Sequence, residues 1–153
     1  MDKAREGGIL ISKIHYLAGR ILTKKLKQYH LDEINPAQGR ILFVLWQHNG
    51  ITIQELAKRT LLGKSTLTSM LDRLEMAGYL NRVPSKEDRR KIIIELGEKD
   101  RALQEVYLRV SEEMTEMFYH GFNSKEIDGF EGYLNRILNN LMAYSPDQPL
   151  QGG

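Results

Sequence analysis

Residues 52–96 set out, without interruption, a short capped helix, a three-residue link, a second helix and two strand-like runs around a charged loop. Few folds accept that order. Thr52-Ile53-Gln54-Glu55 has the form of a capping box, in which the Thr hydroxyl takes the Glu55 amide and Glu55 reaches back. The helix it opens turns Ile53, Leu56 and Ala57 inward and ends near Thr60. Leu61-Leu62-Gly63 is the link. The next helix starts at Lys64 or Ser65 and runs to about Met76, with Leu67, Leu71 and Leu74 as its buried stripe and Met70 at the margin. Gly78 closes it as a left-handed cap. Tyr79–Val83 and Ile92–Leu96 read as two strands. Ile92, Ile94 and Leu96 share one face, and Ile93 falls on the other with nothing assigned to cover it.

Two helices across a short link form a helix-turn-helix, and a hairpin directly after it makes the winged variant. The chemistry agrees with the shape. The DNA major groove admits one helix and offers base-edge donors and acceptors, so a reading helix needs short polar and basic residues on one face. Lys64, Ser65, Thr68 and Ser69 form such a face, opposite the three leucines. Backbone amides at the start of this helix can also meet a phosphate. Arg73, further along, suits phosphate better than bases. The loop between the strands carries Lys86, Arg89, Arg90 and Lys91, and an arginine on a thin loop can enter the narrow, electronegative minor groove. Asp88, two residues before Arg90, can hold and aim its guanidinium. In an isolated helix the Ser and Thr residues would read as caps and solvation. After a helix-turn-helix link they read as contacts.

The flanks are helical. Leu10, Ile14, Leu17, Ile21 and Leu22 recur at helical spacing from about Ile9 to Tyr29. Asn35-Pro36-Ala37-Gln38 is a helix start with Asn as cap, and that helix ends at Asn49-Gly50. A long helix runs from about Glu98 to His120, with Leu103, Val106, Val110, Met114 and Met117 on one stripe. The last begins after Ser124 as N-cap and carries Ile127, Phe130, Leu134, Ile137 and Leu141 at spacings of three and four. The first and last stripes exceed what a compact wing domain covers, so they need a partner, and a second copy of the chain is expected. The fold class is therefore mainly α with a small two-stranded β-wing: a winged helix-turn-helix with N- and C-terminal dimerisation helices. Residues 1–34 form the first dimerisation helix, 35–97 the DNA-binding domain, 98–144 the C-terminal dimerisation helices and 145–153 a poorly ordered tail.

The stretch Leu56 to Leu96 resembles the multiple-antibiotic-resistance regulator (MarR) family of winged helix-turn-helix proteins. The resemblance rests on Ser65-Thr66-Leu67-Thr68, on Leu71-Asp72-Arg73-Leu74-Glu75, on Gly78 with Arg82 four residues later, and on Asp88-Arg89-Arg90 before Ile92–Leu96. It implies a homodimer joined through its first and last helices. It also implies the Lys64 helix, with Thr66, in the major groove, and Arg90 in the minor groove, steadied by Asp88. A small aromatic or lipophilic effector is expected with it, and Tyr16, Trp46, Tyr107, Phe118 and Tyr119 are the side chains available to line its site. One departure is Gly97, where the family has a helix-capping Thr.

Composition narrows the alternatives. The chain has no cysteine, which removes disulfides, thiolate zinc sites and the thiol-based peroxide sensing of some relatives. Its basic residues gather in two places. Residues 1–30 hold seven Lys/Arg against two Asp/Glu and residues 58–91 nine against four, while residues 101–153 hold four against eight. A basic middle beside an acidic end suits a segment that meets a polyanion. His15, His30, His48 and His120 are scattered without metal-ligand spacing, and no catalytic constellation or phosphate loop appears, so neither a cofactor nor an enzyme activity is expected. No apolar run approaches the ~18 residues of a membrane span, and no signal-peptide core is evident, so a cytoplasmic protein without membrane contact is expected. A winged domain can also serve as a protein-interaction module without specific DNA binding. Loss of the basic loop tip would favour that reading, and the tip is intact. The expected function is a ligand-responsive repressor that binds duplex DNA at an inverted repeat.

Overall fold

The structure is a computed structural model and describes residues 3–31 and 33–144, so the expected tail at 145–153 lies outside the described residues. The elements run α1 (Gly7–Gln28), α2 (Pro36–Gln47), β1 (Ile51–Thr52), α3 (Ile53–Thr60), α4 (Lys64–Met76), β2 (Leu80–Pro84), β3 (Ile92–Leu96), α5 (Asp100–Phe118) and α6 (Ser124–Met142). The protein is mainly helical with a small antiparallel sheet, as the pattern implies. The sheet has three strands rather than two, in the order β1-β3-β2. β1 is two residues long, too short to show alternation in sequence. It pairs Ile51 with Ile94 and Thr52 with Ile93. With Val83 opposite it on β2, Ile93 is flanked on both sides and half-buried.

The described residues group into two compact units, divided between Met114 and Thr115 inside α5. In the first unit the core is largely leucine: Leu26, Leu42, Leu45, Leu56, Leu67, Leu71, Leu74 and Leu80 are buried together with Ile41, Ile94 and Val110. Each such side chain contributes about 1.5–3 kcal/mol by leaving water. The expected stripe of α4 is thus the part of that helix that faces the core, with Met70 half-buried at its margin.

The helix starts show where local signals hold. Asn35 accepts from the Gln38 amide at 2.8 Å while Gln38 accepts from the Asn35 amide at 2.8 Å. At α3 only half of the expected box forms. Thr52 Oγ1 accepts from the Glu55 amide at 3.2 Å, but the Glu55 carboxylate turns outward to Arg59 Nε at 2.8 Å, four residues along the same face. At α6 the cap is Asn123, not Ser124, in a reciprocal box with Glu126. Asn and Ser are both good caps, and the box partner three residues on decides between them.

α5 begins at Asp100, later than the expected Glu98, because Gly97 still belongs to the sheet end: its amide donates to Tyr79 O at 2.8 Å. A Cβ at Gly97 would fall 2.5 Å from the Gly78 carbonyl oxygen, so glycine is what lets this backbone approach the α4–β2 corner. α5 then docks on α2. Buried Asp100 accepts from Trp46 Nε1 at 2.8 and 3.0 Å, one distance for each oxygen. Tyr107 packs on Trp46 with ring centroids 5.4 Å apart, and its hydroxyl end lies over Gly39, where a Cβ would collide with it. Against α1, Glu113 takes Lys25 Nζ and the Tyr29 hydroxyl, both at 3.0 Å.

Much of α1 stays uncovered. Leu26 is its buried residue, whereas Leu10, Ile14 and Leu17 remain 50%, 43% and 54% exposed. In the second unit Phe118, Tyr119, Phe122 and Phe130 form an aromatic cluster with edge-on contacts, and the Tyr119 hydroxyl donates to Glu131 at 2.8 Å. No side chain of α6 is buried, and Ile137, Leu138 and Leu141 are exposed.

Candidate nucleic-acid interface

α3, the link and α4 stand as the helix-turn-helix. Leu61 turns the chain in the left-handed region at φ 57°, and Gly63 is an extended N-cap with no side-chain cap on the first amides of α4. Those amides point along the helix toward its positive end. The three leucines hold one face in the core, and Lys64, Ser65, Thr66, Thr68, Ser69 and Arg73 are all exposed. The Thr68 hydroxyl donates to Lys64 O at 2.9 Å, so its hydrogen is taken and its oxygen keeps acceptor capacity. Arg73 lies beside Glu33 and Met76 in a shallow groove at the far end of the helix.

The wing is more ordered than a run of polar residues suggests. Ser85 Oγ accepts from the amides of Glu87 and Asp88 at 3.2 and 3.4 Å, and Ser85 and Lys91 are joined across the loop by a backbone bond of 2.9 Å. Within this turn Asp88 receives the Arg90 amide at 3.1 Å, Nε at 3.2 Å and Nη2 at 3.5 Å. The Arg90 side chain is nonetheless 91% exposed. The hydrogen bonds from Arg90 hold the Asp88 carboxyl below the usual carboxylate range. Lys86, Arg89 and Lys91 are exposed on the same loop.

α4 and the wing are tied by Arg82, which in sequence is only part of a motif. Arg82 on β2 meets Asp72 at 2.6 Å and Glu75 at 3.0 Å through Nη2, and its amide donates to Glu75 at 2.8 Å. The Arg82 bonds hold the Glu75 carboxyl down, and the two carboxylates raise the Arg82 pKa. Asp72 and Glu75 are three apart on α4, which places them on one face. The strand itself is legible in sequence, but its pairing with this face of α4 is set by tertiary packing.

Of the five aromatics expected to line an effector site, Tyr16, Trp46 and Tyr107 belong to the first unit and Phe118 and Tyr119 to the second. Trp46 and Tyr107 are taken up in the first unit's packing, and Phe118 and Tyr119 in the aromatic cluster of the second. Tyr16 is 63% exposed with the Arg20 guanidinium 5.6 Å above its ring. It lies in an open groove on α1 with His15, Arg20, Lys24 and Lys27. Among the described residues no helix is long and apolar enough to cross a membrane.

Comparison with known proteins places this geometry. A family model for the MarR family matches residues 34–92. The organic hydroperoxide resistance transcriptional regulator of Bacillus subtilis (strain 168) is 36% identical over 92 residues, covering 59% of this chain and 62% of its own length. The match to a second curated relative covers 37% of that protein, so these two are spanned by less than two thirds. The uncharacterized HTH-type transcriptional regulator YsmB of Bacillus subtilis is 33% identical over 129 residues, 84% of this chain and 88% of the relative. Among solved structures, a cysteine-to-serine mutant of MarR from E. coli complexed with operator DNA superposes with TM-score 0.75 at 26% identity, covering 86% of this chain and 92% of that one.

Proposed function

Because this chain belongs to the MarR family, we propose that it is a transcriptional regulator that binds duplex DNA as a homodimer and occludes a promoter. The observation that carries the reading is the pairing of two exposed elements on one rigid frame. α4 turns its polar face outward from a leucine-anchored stripe, and beside it Arg90 is fully presented yet held by Asp88. In this reading Lys64, Ser65, Thr66, Thr68 and Ser69 meet the major groove, and Arg73 meets the backbone. Arg90 enters the minor groove, with Lys86, Arg89 and Lys91 along the phosphates.

Two copies are part of the proposal. The exposed apolar residues of α1 and α6 are the surface a second chain would bury. A two-fold pair presents two reading helices to half-sites about 10 base pairs apart, in an inverted repeat. The regulator would work in the cytoplasm. An anionic aromatic or lipophilic effector is proposed at the α1 groove, where Arg20, Lys24 and Lys27 supply charge and Tyr16 an aromatic face. Selection from a random duplex pool tests the function: an enriched inverted repeat supports it, and a pool without enrichment in dilute buffer contradicts it.

A further inference from the structure

The link between α3 and α4 is held from outside the helix-turn-helix. Arg40, on α2, donates from Nη1 to Thr60 O at 2.9 Å. Thr60 is the last residue of α3, and its carbonyl lies at the negative end of that helix. Its side chain is 1% exposed and knits the same corner: Oγ1 donates to Leu56 O at 2.7 Å and accepts from the Leu62 amide at 3.4 Å. Leu61, between them, occupies the left-handed region at φ 57° with a side chain that disfavours it. A link in a costly conformation persists only where its surroundings hold it. Three residues further on, α4 begins.

Arg40 also has a second neighbour. It follows Gly39, over which the Tyr107 hydroxyl end of α5 is seated without room for a Cβ. Burial raises the Tyr107 pKa, and the nearby Arg40 charge opposes that rise. Arg40 thus bonds the helix-turn-helix link from a helix whose adjacent residue, Gly39, is covered by Tyr107 of α5.

We propose that Arg40 is a positioning residue for DNA binding: by latching the Thr60 carbonyl it sets the angle at which α4 is presented, without itself contacting the duplex. This rests on the proposed function. A latch of this kind matters most where geometry is selected. Specific binding needs α4 and the wing in register with base edges, whereas non-specific binding needs only charge. Losing the latch should therefore reduce preference for the specific site more than general affinity for DNA.

The test uses the full chain, the duplex enriched from a random pool and an unrelated duplex of equal length, each titrated at several salt concentrations. Arg40→Met keeps the stem and removes the donors, and Arg40→Lys restores one charged donor. The expected result for Arg40→Met is a loss of about tenfold or more on the enriched duplex, little change on the unrelated one, and an unaltered salt slope. Arg40→Lys should recover part of that loss. Equal losses on both duplexes with a slope lowered by about one unit would make Arg40 a phosphate contact and overturn the proposal. Unchanged affinity of folded Arg40→Met would overturn it as well. If Arg40→Met fails to fold, Arg40→Lys carries the same comparison at smaller amplitude, and a Lys variant equal to the parent on the enriched duplex, with normal melting, counts against the latch. A parent chain that binds neither duplex would refute the proposed function instead, which keeps the two failures apart.

Discussion

Glu75 near the end of α4 holds Arg82 of β2 twice, taking its amide at 2.8 Å on one oxygen and its guanidinium at 3.0 Å on the other. Asp72, one turn earlier on the helix, takes the same guanidinium. The second strand of the wing is paired to the first, so this ion cluster fixes the wing hairpin to α4.

Replacing Arg82 by Ala leaves two carboxylates facing each other on α4 without their counter-ion. Charge-assisted bonds of this kind are worth about 1.5–3 kcal/mol when shielded, and partial exposure here reduces the expected loss to about 1–2 kcal/mol. Urea denaturation of Arg82→Ala should show that decrease. Operator affinity should fall with it, because wing and helix no longer move as one piece. A variant with parental stability and affinity would show the cluster to be ornamental.

The same cluster predicts an acid limb. The Glu75 carboxyl is held below its ordinary value of 4.5, chiefly by the bonds from Arg82. Glu113 is held down in the same way by Lys25 and Tyr29. A carboxyl with a lowered folded pKa contributes stability that is fully present above its ordinary value and is lost as pH falls through the folded value. The urea midpoint should therefore drop as pH falls below the ordinary carboxyl value of 4.5 and through the lower folded one. In Arg82→Ala the Glu75 share of that slope should disappear. An Arg82→Ala slope as steep as the parent's over this window would refute the assignment.

Asp100 carries the opposite sign. Burial raises its pKa, and the single Trp46 N–H only partly offsets that. An acid with a raised folded pKa adds stability at low pH, which fades as pH rises through the ordinary value toward the folded one. Asp100→Asn keeps an acceptor for Trp46 and removes the charge, so it should be near neutral in stability at pH 7. Asp100→Leu strands the indole N–H and should cost about 1–3 kcal/mol. Thermal melts of both variants, with Trp46 fluorescence as the reporter, check the pair. Equal losses in the two would contradict the account.

Arg90 separates binding from folding. Its side chain is 91% exposed and its hydrogen bonds among the described residues go to Asp88 of its own loop, so Arg90→Ala should change stability by no more than about 0.5 kcal/mol. On the operator it should cost about 1–3 kcal/mol, roughly 5- to 150-fold in Kd. Parental operator binding by Arg90→Ala would show that the wing does not read DNA.

α4 and the wing hairpin were legible as elements because their signals are local: three leucines at helical spacing, a link with glycine, and Asp88 two residues before Arg90. Signals with two acceptable partners were not decided locally. Glu55 could reach back to its cap or forward to Arg59, and either Asn123 or Ser124 could open α6. What was missed depends on tertiary placement. β1 is two residues long, the partners of Arg82 sit on another element, and Arg40 reaches a carbonyl 20 residues away. A side chain bonded to backbone leaves no pattern in sequence. Of the aromatic set, Trp46 and Tyr107 pack α5 onto α2, a tertiary role that helical spacing does not announce.

Sedimentation of the full chain, alone and with a duplex carrying an enriched inverted repeat, weighs the central claim most directly. Two chains in the free protein, and two chains per duplex with half-sites about 10 base pairs apart, are the predicted result. A stable single chain that leaves the duplex unshifted at low ionic strength would contradict it.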